Sequence, residues 1–189
     1  MNSALPPLVQ AALARAAGTA FALFSEPEVG ALLGALAAAV PAGGRILELG
    51  TGAGVGLAWL VHGLGGRDDV EVVTVDLDAE LQSQVRSQRW PVPVRFEVGD
   101  GAEVVGRLGR FDLIFADAPG GKIFKLRRTV EALAPGGVLV VDDMDLEQHE
   151  DAELRQALAV VRERLLSNAE LVCAELAFSS GVILAVKRR

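Results

Sequence analysis

The chain carries one cysteine and no tyrosine, and each shortage closes off a kind of chemistry. With Cys173 alone, neither an intramolecular disulfide nor a cysteine-based metal cluster can form, and its apolar, strand-like surroundings read as a small core side chain. Without tyrosine there is no Tyr-x-x-x-Lys proton donor of the kind a nicotinamide-dependent oxidoreductase needs. No uninterrupted apolar run reaches the length of a membrane span, so no membrane partner is expected. The formal net charge is -7 and no block of lysine or arginine offsets it, which argues against a nucleic-acid partner. Lys187-Arg188-Arg189 reads as a solvated C-terminal tail. The alanine-rich start from Leu8 to Leu23 lacks a basic leading region and a separate cleavage site, so a cytoplasmic location is expected. A length of 189 residues suits a single domain over 1–189, with 1–40 as an N-terminal helical cap.

What the chain does have is concentrated in Ile46-Leu47-Glu48-Leu49-Gly50-Thr51-Gly52-Ala53-Gly54-Val55-Gly56, where an apolar strand runs into a glycine-dense turn and then an apolar helix. Glycines let a ligand approach the main chain, and the following helix presents unpaired N–H groups at its start. One unit downstream, Val72-Val73-Thr74-Val75-Asp76 is a second buried-type strand ending in a carboxylate. Strand, glycine loop, helix, strand, acid is a layout that holds a nucleotide ribose by its hydroxyls.

The remaining chain alternates helix and strand. Helices are expected over Leu8–Ala17, Pro27–Val40, 54–64, 78–88, Glu103–Leu108, Ile123–Leu133 and Ala152–Ser167, with Asp78 as a cap and Pro27 near a first turn. Strands are expected over 46–49, 71–75, 94–98, Phe111–Ala116, Val138–Val141, 170–178 and 182–187, with Pro135-Gly136-Gly137 as a turn and Ser179-Ser180-Gly181 linking the last two. Repeated βα units finishing in a hairpin predict an α/β fold: a mostly parallel seven-stranded sheet, one strand antiparallel, between two helical layers. In such folds ligands sit beyond the carboxyl ends of the strands. There lie Glu48, Asp76, Asp100, Asp117, Asp142 and Asp143, each just after or within the end of a strand.

The glycines at 50, 52 and 54 alternate, which differs from the dinucleotide fingerprint and from a phosphate loop, although Gly56 supplies a fingerprint-like later position. Glu48 discriminates further: a carboxylate is awkward beside pyrophosphate but suits a ligand with a charged amine. S-adenosylmethionine has such an amine, a ribose diol and no phosphate. In these residues the chain resembles the class I S-adenosylmethionine-dependent methyltransferases, which share a Rossmann-like sheet. Ser25-Glu26-Pro27-Glu28-Val29-Gly30, Val73 to Asp78, Phe111 to Ala118 and Leu133 to Met144 narrow the resemblance to the small-molecule O-methyltransferases of the catechol and caffeoyl-coenzyme A types.

The resemblance implies roles. Glu48 would face the methionine amine and Asp76 the ribose hydroxyls; Gly50, Gly52 and Gly54 would lie against the cofactor, with Ser25 near its carboxylate, and Asp117 counts among the cofactor-binding residues too. Gly99, Asp100 and Gly101 would lie by the adenine, and Trp59, Phe96 and Phe124 are aromatic candidates to cover it, though each reads first as core. Asp117 and Asp142 match two acids that hold a divalent cation such as magnesium in metal-dependent members, and Asp143 stands where asparagine is usual. Lys122 lies two residues beyond the family's usual lysine and reads first as an ordinary helix-start or surface lysine; an acceptor-side base or orienting cation, or the counter-charge to the acids, are its other readings. Asp117, Lys122 and Asp142 are thus the catalytic candidates, acting on a small-molecule acceptor, and a homodimer is expected. His62 reads as structural, away from the strand ends; His149 reads first as a solvated loop residue beside an acidic run and second as a proton acceptor or ligand that could swing towards substrate. A nicotinamide-dependent oxidoreductase and a non-catalytic cofactor-binding interaction domain are the competing readings.

Overall fold

A computed structural model describes residues 5–18 and 25–189. Residues 1–4 and 19–24, part of the expected N-terminal cap, lie outside the described residues. In chain order the elements are α1 (Pro7–Ala17), α2 (Pro27–Ala38), β1 (Arg45–Leu49), α3 (Val55–Leu64), β2 (Glu71–Asp76), α4 (Ala79–Arg86), β3 (Val94–Val98) and α5 (Gly101–Val104). They continue with β4 (Phe111–Ala116), α6 (Pro119–Lys122), α7 (Leu126–Glu131), β5 (Leu133–Val141), α8 (Ala152–Leu166), β6 (Leu171–Leu176) and β7 (Val182–Lys187).

The seven strands form one sheet in the order β3-β2-β1-β4-β5-β7-β6. β1 through β5 pair in parallel, and β7 runs antiparallel to both β5 and β6. The order reverses between β1 and β4, so the ends of those two strands open onto the crevice where such folds bind ligands.

Strand alternation sorts the core into two layers. On one face Ile46, Val72, Leu113 and Phe115 pack under α1, α2 and α3, and on the other Leu47, Val73, Ile114 and Leu139 meet α7 and α8. α3 is buried nearly all round because the N-terminal helices cover its outer side; a Cβ on Gly63 would lie 2.1 Å from the carbonyl oxygen of Gly34 in α2. Asp78 caps α4 as expected, accepting from the N–H groups of Glu80 and Leu81 at 3.0 and 2.9 Å.

Three local expectations are corrected. The helix expected over Ile123–Leu133 is only Leu126–Glu131, because Lys125 takes a left-handed φ of 59° that separates it from the preceding turn. Pro135-Gly136-Gly137 does not precede β5 but bulges within it: Phe111 pairs with Leu133 and Leu113 with Val138, so the extra residues loop out at Gly136, where φ is 81°. Lys187 is no tail residue; it pairs with Leu171 and its ammonium donates to the Val130 carbonyl at 3.1 Å. No described helix is long and apolar enough to cross a membrane.

Candidate active site

A cavity of about 700 Å³ opens beyond the ends of β1, β2, β4 and β5. Its floor is the glycine loop. Gly50 donates its N–H to the Val75 carbonyl at 2.9 Å, Gly52 donates to the Asp76 carboxylate at 2.8 Å, and Gly54 turns left-handed into α3.

Glu48 points into this cavity from the middle of the sheet and is fully buried. One of its oxygens accepts from the Thr74 hydroxyl at 2.6 Å, while the other, Oε1, is buried without a hydrogen-bond partner. Because Thr74 gives its proton to Glu48, it must accept from Thr51 at 2.6 Å, and Thr51 in turn accepts from Gln82 at 3.2 Å. This chain fixes Glu48 in place. Burial pushes its carboxyl up to about 8; the Thr74 hydrogen bond opposes that rise and the nearby Asp76 charge adds to it. A Cβ on Gly56 would lie 2.6 Å from Oε1, so the helix start leaves room for the carboxylate only as glycine. Buried Ser25 borders the same spot. An unpaired buried acceptor is costly, and a ligand cation removes the cost.

Asp76, half-buried at the end of β2, accepts from the Gly52 and Asp78 N–H groups at 2.8 and 2.9 Å, one on each oxygen. Each oxygen keeps a lone pair for a ligand diol. Asp100 caps α5 through the Ala102 N–H at 2.8 Å, and Gly101 lies against the Gly120 carbonyl, so Gly99 to Gly101 border the cavity together. Of the three aromatic candidates, Trp59 is core under Gly30 and Phe96 packs partly buried against the core. Phe124 corrects the core reading: it is 61% exposed and lines the cavity, as does Leu77 at 71%. The break between α6 and α7 turns Phe124 outward.

At the other end stand the acids. One oxygen each from Asp117, Asp142 and Asp143 lies within 4.8 Å of the others. Lys122 is 4% exposed; its ammonium donates to Asp143 at 3.1 Å and to the Asp142 carbonyl at 3.2 Å, and stands 4.0 Å from Asp117. The longer spacing to Lys122 is absorbed by the non-helical turn at Gly120 and Gly121, the latter with φ of 93° and no room for a Cβ beside Leu49. Thr129 pins that turn by donating to the Gly121 carbonyl at 2.7 Å.

Burial raises the Asp117 carboxyl well above the usual range, with Lys122 pulling it down and the Asp142 and Asp143 charges pushing it up. Asp142 is raised too, chiefly by burial, against the lowering effect of Ser180. The three acids offer a hard oxygen set that fits magnesium or manganese, and Lys122 already supplies one positive charge against them.

Two contacts escape sequence reasoning. Ser180, at the β6–β7 link, donates to Asp142 at 2.5 Å, and Thr74 holds Glu48. A threonine interrupting an apolar strand is a legible signal for the second; the first joins residues 38 positions apart and leaves none. His149 corrects the solvated reading: it lines the cavity, with Nε2 2.9 Å from the Asp143 carbonyl. His62 is exposed at the end of α3, edge-on to Trp59 and apart from the cavity, and Cys173 is half-buried with its thiol donating to the Leu165 carbonyl.

Residues 47–144 match the family of methyltransferase domains, a span that contains the glycine loop and all four members of the acid–lysine cluster. A relative from Mycobacterium avium, named as an O-methyltransferase, is 36% identical over 174 residues, covering 85% of this chain and 77% of its own. Among solved structures, the O-methyltransferase TomG from Streptomyces achromogenes in complex with S-adenosylmethionine superposes with a TM-score of 0.78, at 22% identity, over 100% of this chain and 93% of that one. The Bacillus cereus O-methyltransferase in complex with S-adenosylhomocysteine gives 0.79 at 22% identity, over 100% and 94%. At that identity the structures speak to the fold. The family match and the mycobacterial relative carry the assignment: the chain belongs to the methyltransferase-domain family, in company with O-methyltransferases.

Proposed function

We propose that the protein binds S-adenosylmethionine in this cavity and transfers its methyl group to a hydroxyl oxygen of a small molecule. One observation carries the reading: the fully buried, unpartnered oxygen of Glu48, which calls for a cationic group in the same cavity as a diol acceptor. The ligands in the two superposed O-methyltransferases support the same cofactor.

In this reading Glu48 accepts from the methionine amine, Ser25 lies by the carboxylate, and Gly50, Gly52 and Gly54 lie along the ligand. Asp76 accepts from the ribose hydroxyls. Gly99, Asp100 and Gly101 flank the adenine, with the exposed faces of Leu77 and Phe124 available to cover it. The cofactor supplies an electrophilic methyl carbon, whose bond to sulfur breaks as the bond to the acceptor oxygen forms. The protein's part is to hold the acceptor in line and to take its proton. Without a cation, one of Asp117, Asp142 and Asp143 would receive that proton, and Lys122, fixed by Asp143 and the Asp142 carbonyl, would steady the developing oxyanion.

A divalent cation on Asp117, Asp142 and Asp143 belongs to the same proposal; it would act as a Lewis acid toward the acceptor oxygens. A single domain over 1–189, a homodimer and a cytoplasmic setting complete the reading, and light scattering at micromolar concentration tests the dimer by mass. The function is tested by methyl transfer from labelled S-adenosylmethionine to catechols and phenols, with EDTA and then with magnesium or manganese. Turnover restored by the metal supports both halves. Full turnover after thorough chelation removes the metal and leaves Lys122 as the counter-charge, and no transfer under any condition removes the reaction.

A further inference from the structure

Resting on the methyl-transfer reading, we infer that the acceptor is a neutral or cationic hydroxyl compound, that Glu26 at the cavity mouth favours a cation, and that carboxylate- or phosphate-bearing acceptors are turned away. All 18 lysines and arginines lie within the described residues, and residues 19–24, Thr-Ala-Phe-Ala-Leu-Phe, bring no charged side chain. Of those cations only Lys122 lines the cavity, and its ammonium is held by Asp143 and the Asp142 carbonyl.

The basic side chains next to the acid cluster in the chain are engaged elsewhere, and Arg15, which meets the glycine loop at Gly54, is not among the residues that line the cavity. Lys125 and Arg128 both pair with Glu103, and Arg155 donates to the carbonyls of His149 and Glu150 at 2.7 and 2.8 Å. Three carboxylates against one ammonium leave the acid–lysine cluster negative. A divalent cation would bring it to zero, so neither metal state offers surplus positive charge to an anionic acceptor.

Glu26 supplies the positive half of the inference. It sits at the N-terminus of α2 yet makes no side-chain cap to that helix; its carboxylate instead accepts from the Ser179 hydroxyl. The next residue, Ser180, donates to Asp142. The same hairpin link thus ties Glu26 to the cluster where the acceptor hydroxyl would react. Ile123, Leu154 and Leu158 give the same cavity an apolar wall. A planar ring lying on that wall would present its remote substituent toward the mouth, where Glu26 is the lining acid. At a separation of roughly 8 Å in a half-wet mouth, one unit charge acting on another changes an equilibrium by about fivefold.

The test compares four acceptors that share one dihydroxyphenyl ring: 4-(2-aminoethyl)catechol, 4-propylcatechol, 3-(3,4-dihydroxyphenyl)propionate and caffeoyl-coenzyme A, each with EDTA and with magnesium. The amine should give the highest kcat/KM, the propionate at least about 25-fold less, and the thioester none. Glu26→Gln should narrow the amine-to-propylcatechol ratio by about fivefold and the amine-to-propionate ratio by about 25-fold. A propionate or thioester as the best acceptor overturns the inference, and an unchanged ratio in Glu26→Gln overturns the role of Glu26. Calorimetry with S-adenosylmethionine separates the two layers, since absent cofactor binding removes the methyl-transfer reading itself. If the cofactor binds but no member of the panel is methylated, the panel is titrated into protein saturated with S-adenosylhomocysteine. Tightest binding of the amine there supports the inference; tightest binding of an anion, or no binding, overturns it.

Discussion

Glu48→Gln isolates the buried carboxylate, because glutamine matches the protonated acid in shape and cannot ionise. In the unfolded chain the group ionises near 4.5 and in the folded protein near 8. Between those values the native state holds a proton that the unfolded state has lost, so this group's contribution to stability falls as pH rises from about 4.5 to about 8. The gap corresponds to roughly 5 kcal/mol at 1.36 kcal/mol per pH unit. Glu48→Gln should therefore match wild type near pH 4.5 and exceed it by about 3–5 kcal/mol at pH 9, read by urea unfolding.

The same residue links cofactor binding to protons. At pH 7 a carboxyl that ionises near 8 is about nine-tenths protonated, so binding a cationic amine should expel about 0.9 proton. Affinity for S-adenosylmethionine should rise about tenfold from pH 6 to pH 7 and peak near pH 8, where an α-amino group begins to lose its own charge. Calorimetry in buffers of different ionisation enthalpy counts the released protons directly. Glu48→Gln should release none and bind about 10- to 100-fold more weakly, the range expected for a lost charge-assisted hydrogen bond. Tight wild-type binding without proton release, or wild-type affinity in the variant, would refute the placement of the amine.

Asp76→Ala should weaken S-adenosylmethionine by at least about tenfold, since the diol loses its charged acceptor and Gly52 and Asp78 lose theirs; titration calorimetry reads the change. Asp117→Ala and Asp142→Ala should abolish methyl transfer while leaving most of the cofactor affinity, and full turnover by Asp117→Ala would sink the shared-crevice mechanism. Gly63→Ala should lower stability by about 1–3 kcal/mol in urea unfolding, because the added carbon meets the Gly34 carbonyl at 2.1 Å and α2 must move.

The parts legible in sequence were those set by local pattern. The strand–glycine–helix unit at Ile46 to Gly56, the Asp78 cap and the late hairpin all depend on neighbours within a turn or two, and the structure shows each of them. Lys122 marks the border of that legibility. Its spacing alone leaves its direction open, and only the left-handed Gly121, packed on Leu49 from another strand, folds it back onto the acids. Pro135-Gly136-Gly137 has turn chemistry whether it precedes a strand or bulges within one; pairing with β4 decides between them. Phe124 and His149 are illegible for the same reason: hydropathy and neighbouring charge say nothing about which loop borders a cavity.

A cavity that recognises S-adenosylmethionine rather than a dinucleotide should show it in parallel calorimetric titrations of the purified protein with S-adenosylmethionine and with NAD. One site per chain is expected for S-adenosylmethionine and no heat of binding with NAD; saturable NAD binding with no S-adenosylmethionine signal would overturn the cofactor assignment.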